Sequence, residues 1–497
     1  MSVGGREAEL KKKWIMGTSY LYVLLPTVLF LLGWVKIWIA APACLFLLWC
    51  FIKALEEETD LYLPVWNREN IMRGVIMLLV ILVWVYFSGI GNFAWQNRDH
   101  AARNALYEIL AANEWPVVKD VVCEEGTQTR GLIYYIGYWL PAAAAGKLFG
   151  VAAGYFFQYI WAVLGIFLCA VFINSFLRKW AVWHVVLFIL FSGLDAGGYI
   201  LAGNFSWVLS FGHLERWNDY QFSSFTTQLY WVFNQAVYAW ILFAQIMMQK
   251  NNRRILCIWI LGMITCTFPF VGMLPFVVYV ICRNGKSAST DLSGKRAGLL
   301  NGLLSFENLF GGVIGVICLL YLTGNLSAQK RTVPVAELSH IQNTEGFVFY
   351  LGMYVLFILL EIGVYYIYLH RHYKRNWLFY ISLVSLLVCP LIKVGSGGDF
   401  CMRASIPSLL VLYYMVAESL QKDLEQRNIR CLILILILAV GSITAVHEMG
   451  RSAGNTIWRY QQHHEVVNQV FSEERILRGD NFSGKTDGNP FFMYLAK

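Results

Sequence analysis

The sequence predicts an all-α polytopic transmembrane helical bundle. Three observations carry this. Charged residues make up only 14% of the 497 and hydrophobic residues 58%, whereas soluble domains carry roughly 25% charge. Apolar runs recur that reach the roughly 20 residues a spanning helix needs. Lysines and arginines fall in short clusters between those runs, the pattern of cytoplasmic loops. The net charge of +8 belongs to these clusters, so a lipid bilayer is the expected partner and nucleic acid is not. Trp and Tyr, which are abundant, suit aromatic belts at the two interfaces.

The runs predict about thirteen spans by the 20-residue rule, at 15–35, 37–55, 72–90, 155–177, 181–202, 229–248, 255–269, 271–283, 303–323, 347–369, 377–394, 406–421 and 430–447. No small-residue cleavage pattern follows "ELKKKWIMG", so the first run reads as a retained anchor. Lys11, Lys12 and Lys13 place the N-terminus inside, and Lys53, Arg68 and Arg73 place the second loop inside. Residues 91–131 are then outside. The run "LIYYIGYWLPAAAAGKLFG", 132–150, tests the scheme. If it crossed, every later basic cluster would invert. If it lies in the interface or re-enters, Arg178/Lys179, Lys250/Arg253/Arg254, Lys286/Lys295/Arg296, Arg371/Lys374/Arg375 and Lys422/Arg427/Arg430 all fall inside. The second arrangement is the expected one, and Pro141 with four consecutive alanines suits it. The result is a bundle over 1–447 with a large outer loop at 91–154 that carries interfacial helices. A polar outer segment follows at 448–497, which includes "RYQQHHEVV".

The eleven cysteines contain no CxxC, so the usual zinc and redox spacings are absent. Cys123 and Cys401 both fall in outer loops, and a bridge between them is left open.

Polar residues gather on the outer side. "NRDHAARN", 97–104, leaves the third span and opens a short amphipathic helix able to lie in the interface, ended by "WP" at 115–116. Asp99 sits at its start, where a carboxylate caps exposed amides. Asp99 and Arg103 lie four apart, an ordinary helical ion pair, or, beside the membrane, a site with Asn104. "GHLERWNDYQFSS", 212–224, holds His213, Glu215, Trp217, Asp219 and Tyr220, a mixture that suits sugar hydroxyls and C–H faces and equally an ordinary interfacial loop. "FSGLDAGGY", 191–199, places Asp195 inside a span, where an ionisable group is a functional candidate. "VGSGGDFCMRASIP", 394–407, offers Asp399 and Arg403. A guanidinium there matches phosphate oxygens, or pairs with Asp399. "TQLYWVFNQA", 227–236, adds Asn234 and Gln235, to line a polar cavity or to tie helices.

The chain resembles the GT-C superfamily of membrane glycosyltransferases, and more closely a group of uncharacterised bacterial polytopic proteins. The likeness lies in "RNALYEILAANEWPV", "YYIGYWLPAA", "HLERWNDYQFSS" and "GDFCMRASIP", and in an acidic residue near the start of the first large outer loop. It implies a multi-pass protein of a bacterial cell membrane. It also implies inverting transfer of a hexosyl or pentosyl group from a polyprenyl-phosphate carrier to a glycan, lipid or protein acceptor. The acidic role of that loop, general base or acceptor orientation, falls on Asp99. Many members carry two close acidic residues there, and Asp99 has none beside it. This weakens a divalent-metal version and leaves a metal-independent base, with Asp195 or Glu215 as substitutes. A hydroxyl acceptor loses its proton to a carboxylate in reach, and the leaving lipid phosphate needs cations, which Arg103 and Arg403 supply. The rival readings are a transporter or lipid flippase, a lipid-linked polysaccharide polymerase or ligase, and a scaffold.

Overall fold

The computed structural model describes residues 3–497 except 58, 124–125, 202, 211, 216, 218–219, 288–301, 328–331, 335–343, 395–397 and 465–467. Asp219, Lys295 and Arg296 lie outside the described residues. The chain is mostly helical and is a multi-pass membrane protein. Nine helices among the described residues are long and apolar enough to cross a bilayer: Glu9–Trp34, Ile37–Leu55, Arg68–Phe87, Val151–Phe176, Val182–Leu201, Phe225–Met248, Thr267–Gly285, Val348–Tyr373 and Cys431–Gln462. Phe306–Leu322 and Trp377–Leu391 are apolar but shorter.

Local chemistry starts several of these helices. The side chain of Asn67 accepts the backbone N–H of Asn70 at 2.8 Å, Ser224 that of Thr227 at 3.0 Å, Ser305 that of Asn308 at 3.2 Å and Asn376 that of Leu378 at 3.0 Å. Each satisfies an N–H that the first turn leaves free.

Three expectations change. The run 255–269 is helical only over Ile255–Ile260 before a series of turns. The expected boundary between spans 255–269 and 271–283 is absent, because Thr267–Ser287 is one helix, with Pro275 inside it. Pro269 fits there because the first turn of a helix needs no N–H from it. The helix after Asp99, His100–Ala112, is buried on most sides, where the sequence predicts an amphipathic helix with one open polar face. Its apolar stripe packs against protein, and the N–H of Phe471 bonds the carbonyl of Ala101 at 3.0 Å.

The run 132–150 forms a short 3-10 turn, Ile136–Trp139, and a helix, Leu140–Phe149, packed on Val151–Phe176 and on His100–Ala112. Gly150, at φ +92°, makes the tight reversal between the two helices, a conformation that favours glycine.

The all-α expectation misses five short strands. β1 (Val118–Cys123) and β2 (Gly126–Leu132) form a hairpin, β3 (Thr332–Pro334) pairs with β4 (Ile392–Val394), and β5 (Ser483–Lys485) joins β2 antiparallel. The C-terminal segment thus becomes the third strand of the sheet on the first large loop. It also bonds the end of the first span, where the N–H of Lys36 meets the carbonyl of Leu495 at 2.9 Å.

Polar contacts sort the loops into two ends. At one end Arg254 pairs with Glu57 and Glu307, Arg178 with Asp60, Lys179 with Glu425 and Arg371 with Asp423. The other, loop-rich end holds the strands, the His100–Ala112 helix and the C-terminus. Between them the aromatic residues fill the core more than the belts predict. Trp34, Trp139 and Trp240 are wholly buried, while Trp14, Trp38 and Trp377 face outward.

Candidate functional site

One interrupted helix positions the first polar centre. Val232 leaves helical geometry inside Phe225–Met248. Beside it, the carbonyl of Tyr230 accepts from Asn97 Nδ2 at 2.8 Å and from His100 Nε2 at 3.1 Å. A carbonyl only accepts, so Nε2 carries the hydrogen. Burial, with Arg103 close by, pushes His100 down to about 3, so the ring stays neutral. These two bonds fix the start of His100–Ala112 against the break.

Asp99 is freed by this arrangement. It makes no capping hydrogen bond, contrary to the simple N-cap reading. Asn97 Oδ1 instead accepts the N–H of Asp99 at 3.0 Å. The Asp99 carboxylate is 43% exposed and meets Arg103 Nη2 at 3.4 Å. Arg103 is buried with its guanidinium 5.4 Å over Phe233, and its Nη1 has no hydrogen-bond partner among the described residues.

Arg403 approaches from 300 positions later in the chain. It is buried, lies 5.7 Å over Phe268, and its Nη1 is 3.3 Å from Asp399 Oδ1. The ion pair with Asp399 is therefore present, yet Arg403 Nε has no partner among the described residues. Gln235 Oε1 accepts the N–H of Phe268 at 3.3 Å and its Nε2 is likewise unpartnered. The two arginines feel each other's charge, and both feel Tyr134 and Tyr135. Burial lowers Arg103. At Arg403 burial also pulls down, but Tyr135 and Asp399 outweigh it and raise it. Three buried N–H donors without acceptors, two of them charged, suit an anion.

Asn104 is internal: its Nδ2 donates to Gln96 Oε1 at 2.7 Å, and Gln96 Nε2 donates to Gly89 O at 2.7 Å. Asn234 is buried on the same helix as Gln235.

The remaining predicted residues assemble elsewhere. Asp195 accepts Trp217 Nε1 at 3.0 Å, Thr444 Oγ1 at 3.1 Å and Ser192 Oγ at 3.3 Å. Trp217 Nε1 also lies 3.1 Å from Glu361 Oε1. Glu215 is wholly buried, and its Oε1 accepts the N–H of Ser224 at 2.9 Å. Burial and then Asp195 push Glu215 up to about 7. His213 Nδ1 is 2.9 Å from Glu448 Oε1. Burial depresses His213, but this bond and the nearby carboxylates raise it overall. Sequence reasoning missed Glu361, although a lone glutamate within an apolar run carries the same signal as Asp195.

Cys123 and Cys401 are both free thiols, and Cys401 is buried with its Sγ donating to the carbonyl of Gln221 at 3.2 Å. The open bridge is thus not formed. Among the described residues no three His, Cys, Asp or Glu side chains gather to hold a metal ion. Comparison with protein-family models, curated proteins and solved structures finds no match to this chain.

Proposed function

We propose that the chain is a membrane glycosyltransferase that moves a sugar from a polyprenyl-phosphate carrier to an acceptor hydroxyl at the outer face of a bacterial cell membrane. The single observation that carries this reading is that buried Arg103 and Arg403, each with an N–H unpartnered among the described residues, lie near enough to feel one another's neighbourhood beside the half-exposed carboxylate of Asp99. The positive-inside rule, applied to the basic clusters, supports an outer position for this loop-rich end.

In the proposed reaction the acceptor oxygen attacks the anomeric carbon as Asp99 takes its proton. The bond from that carbon to the phosphate oxygen breaks, and its electron pair stays on the lipid phosphate. Arg103 Nη1, Arg403 Nε and Gln235 Nε2 bind that oxyanion in a water-poor setting, where fixed donors count most. Attack opposite the leaving group inverts the anomeric centre.

A second reading, an ion-coupled transporter, is favoured by helices interrupted at buried carboxyls, here Asp195 and Glu361.

Purified protein in nanodiscs, offered a panel of polyprenyl-phosphate sugars, separates the two. The transferase reading expects loss of sugar from the carrier by wild type, abolished in Asp99→Asn with carrier binding kept. Turnover that survives Asp99→Asn removes Asp99 as the base. A folded wild type that binds no carrier overturns the reading.

A further inference from the structure

The Asp195 centre has no part in that reaction, and its geometry has a requirement of its own. Helix Val182–Leu190 stops, and helix Asp195–Leu201 restarts four residues beyond Phe191. Gly193 lies between, and a Cβ on it would collide with Glu361 Oε2. Glu361 sits on a π turn, Leu359–Gly363, whose Leu360 carbonyl accepts the N–H of Leu194 at 3.2 Å. The two breaks therefore interlock and bring Glu361 against Asp195.

Trp217 Nε1 carries one hydrogen, yet Asp195 Oδ1 lies 3.0 Å and Glu361 Oε1 3.1 Å from it. Both carboxyls are buried. Asp195 has two further donors, Ser192 and Thr444. Among the described residues Glu361 Oε2 has none, and neither has Glu215 Oε2, in residues 3% and 0% exposed. Glu215 feels the charge of Asp195, and Glu361 feels that of both.

Among the described residues His213 is the cationic group whose charge reaches Asp195 and Glu215, and it is already engaged. His213 is bonded to Glu448, and Glu448 is held by Arg451 and by Trp231 Nε1 at 2.9 Å. Tyr365 spends its hydroxyl hydrogen on the Ser192 carbonyl at 2.7 Å. Asp195 and Glu361 share one indole hydrogen, and Glu215 feels the charge of Asp195; desolvated carboxyls so placed do not all ionise. The two orphaned Oε2 atoms lack a hydrogen, and a carboxylic acid proton provides one.

We propose that this centre binds an exchangeable proton, held on Glu361 Oε2 and released toward the loop-rich end through Glu215 Oε2 and His213. Each transfer moves one proton from a carboxylic acid to a carboxylate or imidazole and leaves the donor as its conjugate base. The proposal rests on neither function discussed above.

Infrared difference spectroscopy of the full chain in nanodiscs tests it without reference to turnover. Above about pH 7, where Glu215 has given up its proton, the expected result is a protonated-carboxyl C=O band in wild type that bleaches at more alkaline pH, shifts in D2O, and is missing in Glu361→Gln. Glu215→Gln keeps the band but slows its exchange by about tenfold or more, as expected when a relay acid is removed. No band lost in Glu361→Gln overturns the proposal, and so does a band that does not exchange in D2O. If Glu361→Gln does not fold, the wild-type band and Trp217→Phe decide. Removal of the indole hydrogen shifts the frequency of a Glu361 carboxyl band, and an unmoved or absent band overturns the assignment.

Discussion

At the residue scale, Arg103 and Arg403 are the informative pair. A guanidinium taken out of water loses hydration, and each buried N–H left without an acceptor costs about 1–3 kcal/mol. Phe233, Phe268, Asp99 and Asp399 offset part of this, but they leave Arg103 Nη1 and Arg403 Nε unused. In the proposed reaction the carrier phosphate is the anion that takes up these donors. Arg403→Lys keeps the charge and loses Nε and the planar fork, so carrier affinity falls about tenfold, and Arg403→Ala lowers it about a hundredfold. Isothermal titration with a short-chain polyprenyl phosphate checks both, and equal affinity in all three forms removes the anion site. Glu215 makes a prediction about pH. The folded chain keeps its proton up to about 7, against an ordinary value of 4.5. Between these limits the folded state binds more protons than the unfolded, so stability falls as pH rises through that window and levels off above it, by on the order of 3 kcal/mol. Glu215→Gln flattens this dependence, read as Tm against pH. The sequence displays Asp99, Arg103, Asp195 and Arg403 because polar groups beside or within apolar runs stand out. It hides the aromatic partners: Phe233 and Phe268 look like any other residues of an apolar run, whereas Gln235 and Glu361 carry the same signal as Asp195.

At the element scale, close approach of backbones sets the site. Helix Asp399–Ala404 carries Arg403 and packs on helix Thr267–Ser287. Gly272 faces it, and a Cβ there would run into the carbonyl oxygen of Ala404. That neighbour is main chain, which cannot rotate aside. Gly272→Ala therefore pushes the Arg403 helix outward and costs about 2–3 kcal/mol of stability. It also weakens phosphate binding without altering any charged group. A Tm drop with unchanged carrier affinity would show that Arg403 does not depend on this contact. Helix lengths follow from apolar runs, because the bilayer demands them. Interruptions do not follow. Nothing in "YWVFNQ" marks Val232 as non-helical, since the break is stabilised by Asn97 and His100, more than a hundred positions earlier. The strands escape notice for a similar reason: β1 is short and mostly exposed, and β2 is buried only over its last three residues, so alternation has little apolar signal to carry.

At the scale of the whole molecule, the two ends of the chain are joined around the first large loop. β5 adds to β2 through Arg130↔Lys485, Gly131↔Gly484 and Leu132↔Ser483. Arg130 is buried, and its Nη1 donates to the carbonyl of Arg478 at 2.8 Å. Tyr134, which both Arg103 and Arg403 feel electrostatically, follows this strand by two residues, and the N–H of Ile133 bonds the carbonyl of Phe482 at 2.9 Å. The C-terminal strand thus holds the stretch that leads into the site. This coupling spans some three hundred and fifty residues and is invisible in a polar tail with no periodicity. Deletion of residues 479–497 removes β5, the Phe482 carbonyl and the bond from Lys36 to Leu495. The helices keep their own hydrogen bonds and remain folded, since each satisfies its backbone internally. The loop around β1 and β2 loses its third strand, and a two-stranded hairpin is marginal alone. The expected outcome is an intact helical signal by circular dichroism, new protease cleavage within 118–132, and carrier affinity reduced about tenfold or more, as when one supporting contact of a charged site is lost. Protection of 118–132 equal to that of the full chain would mean that the hairpin stands by itself, and that the C-terminal segment covers the site without supporting it.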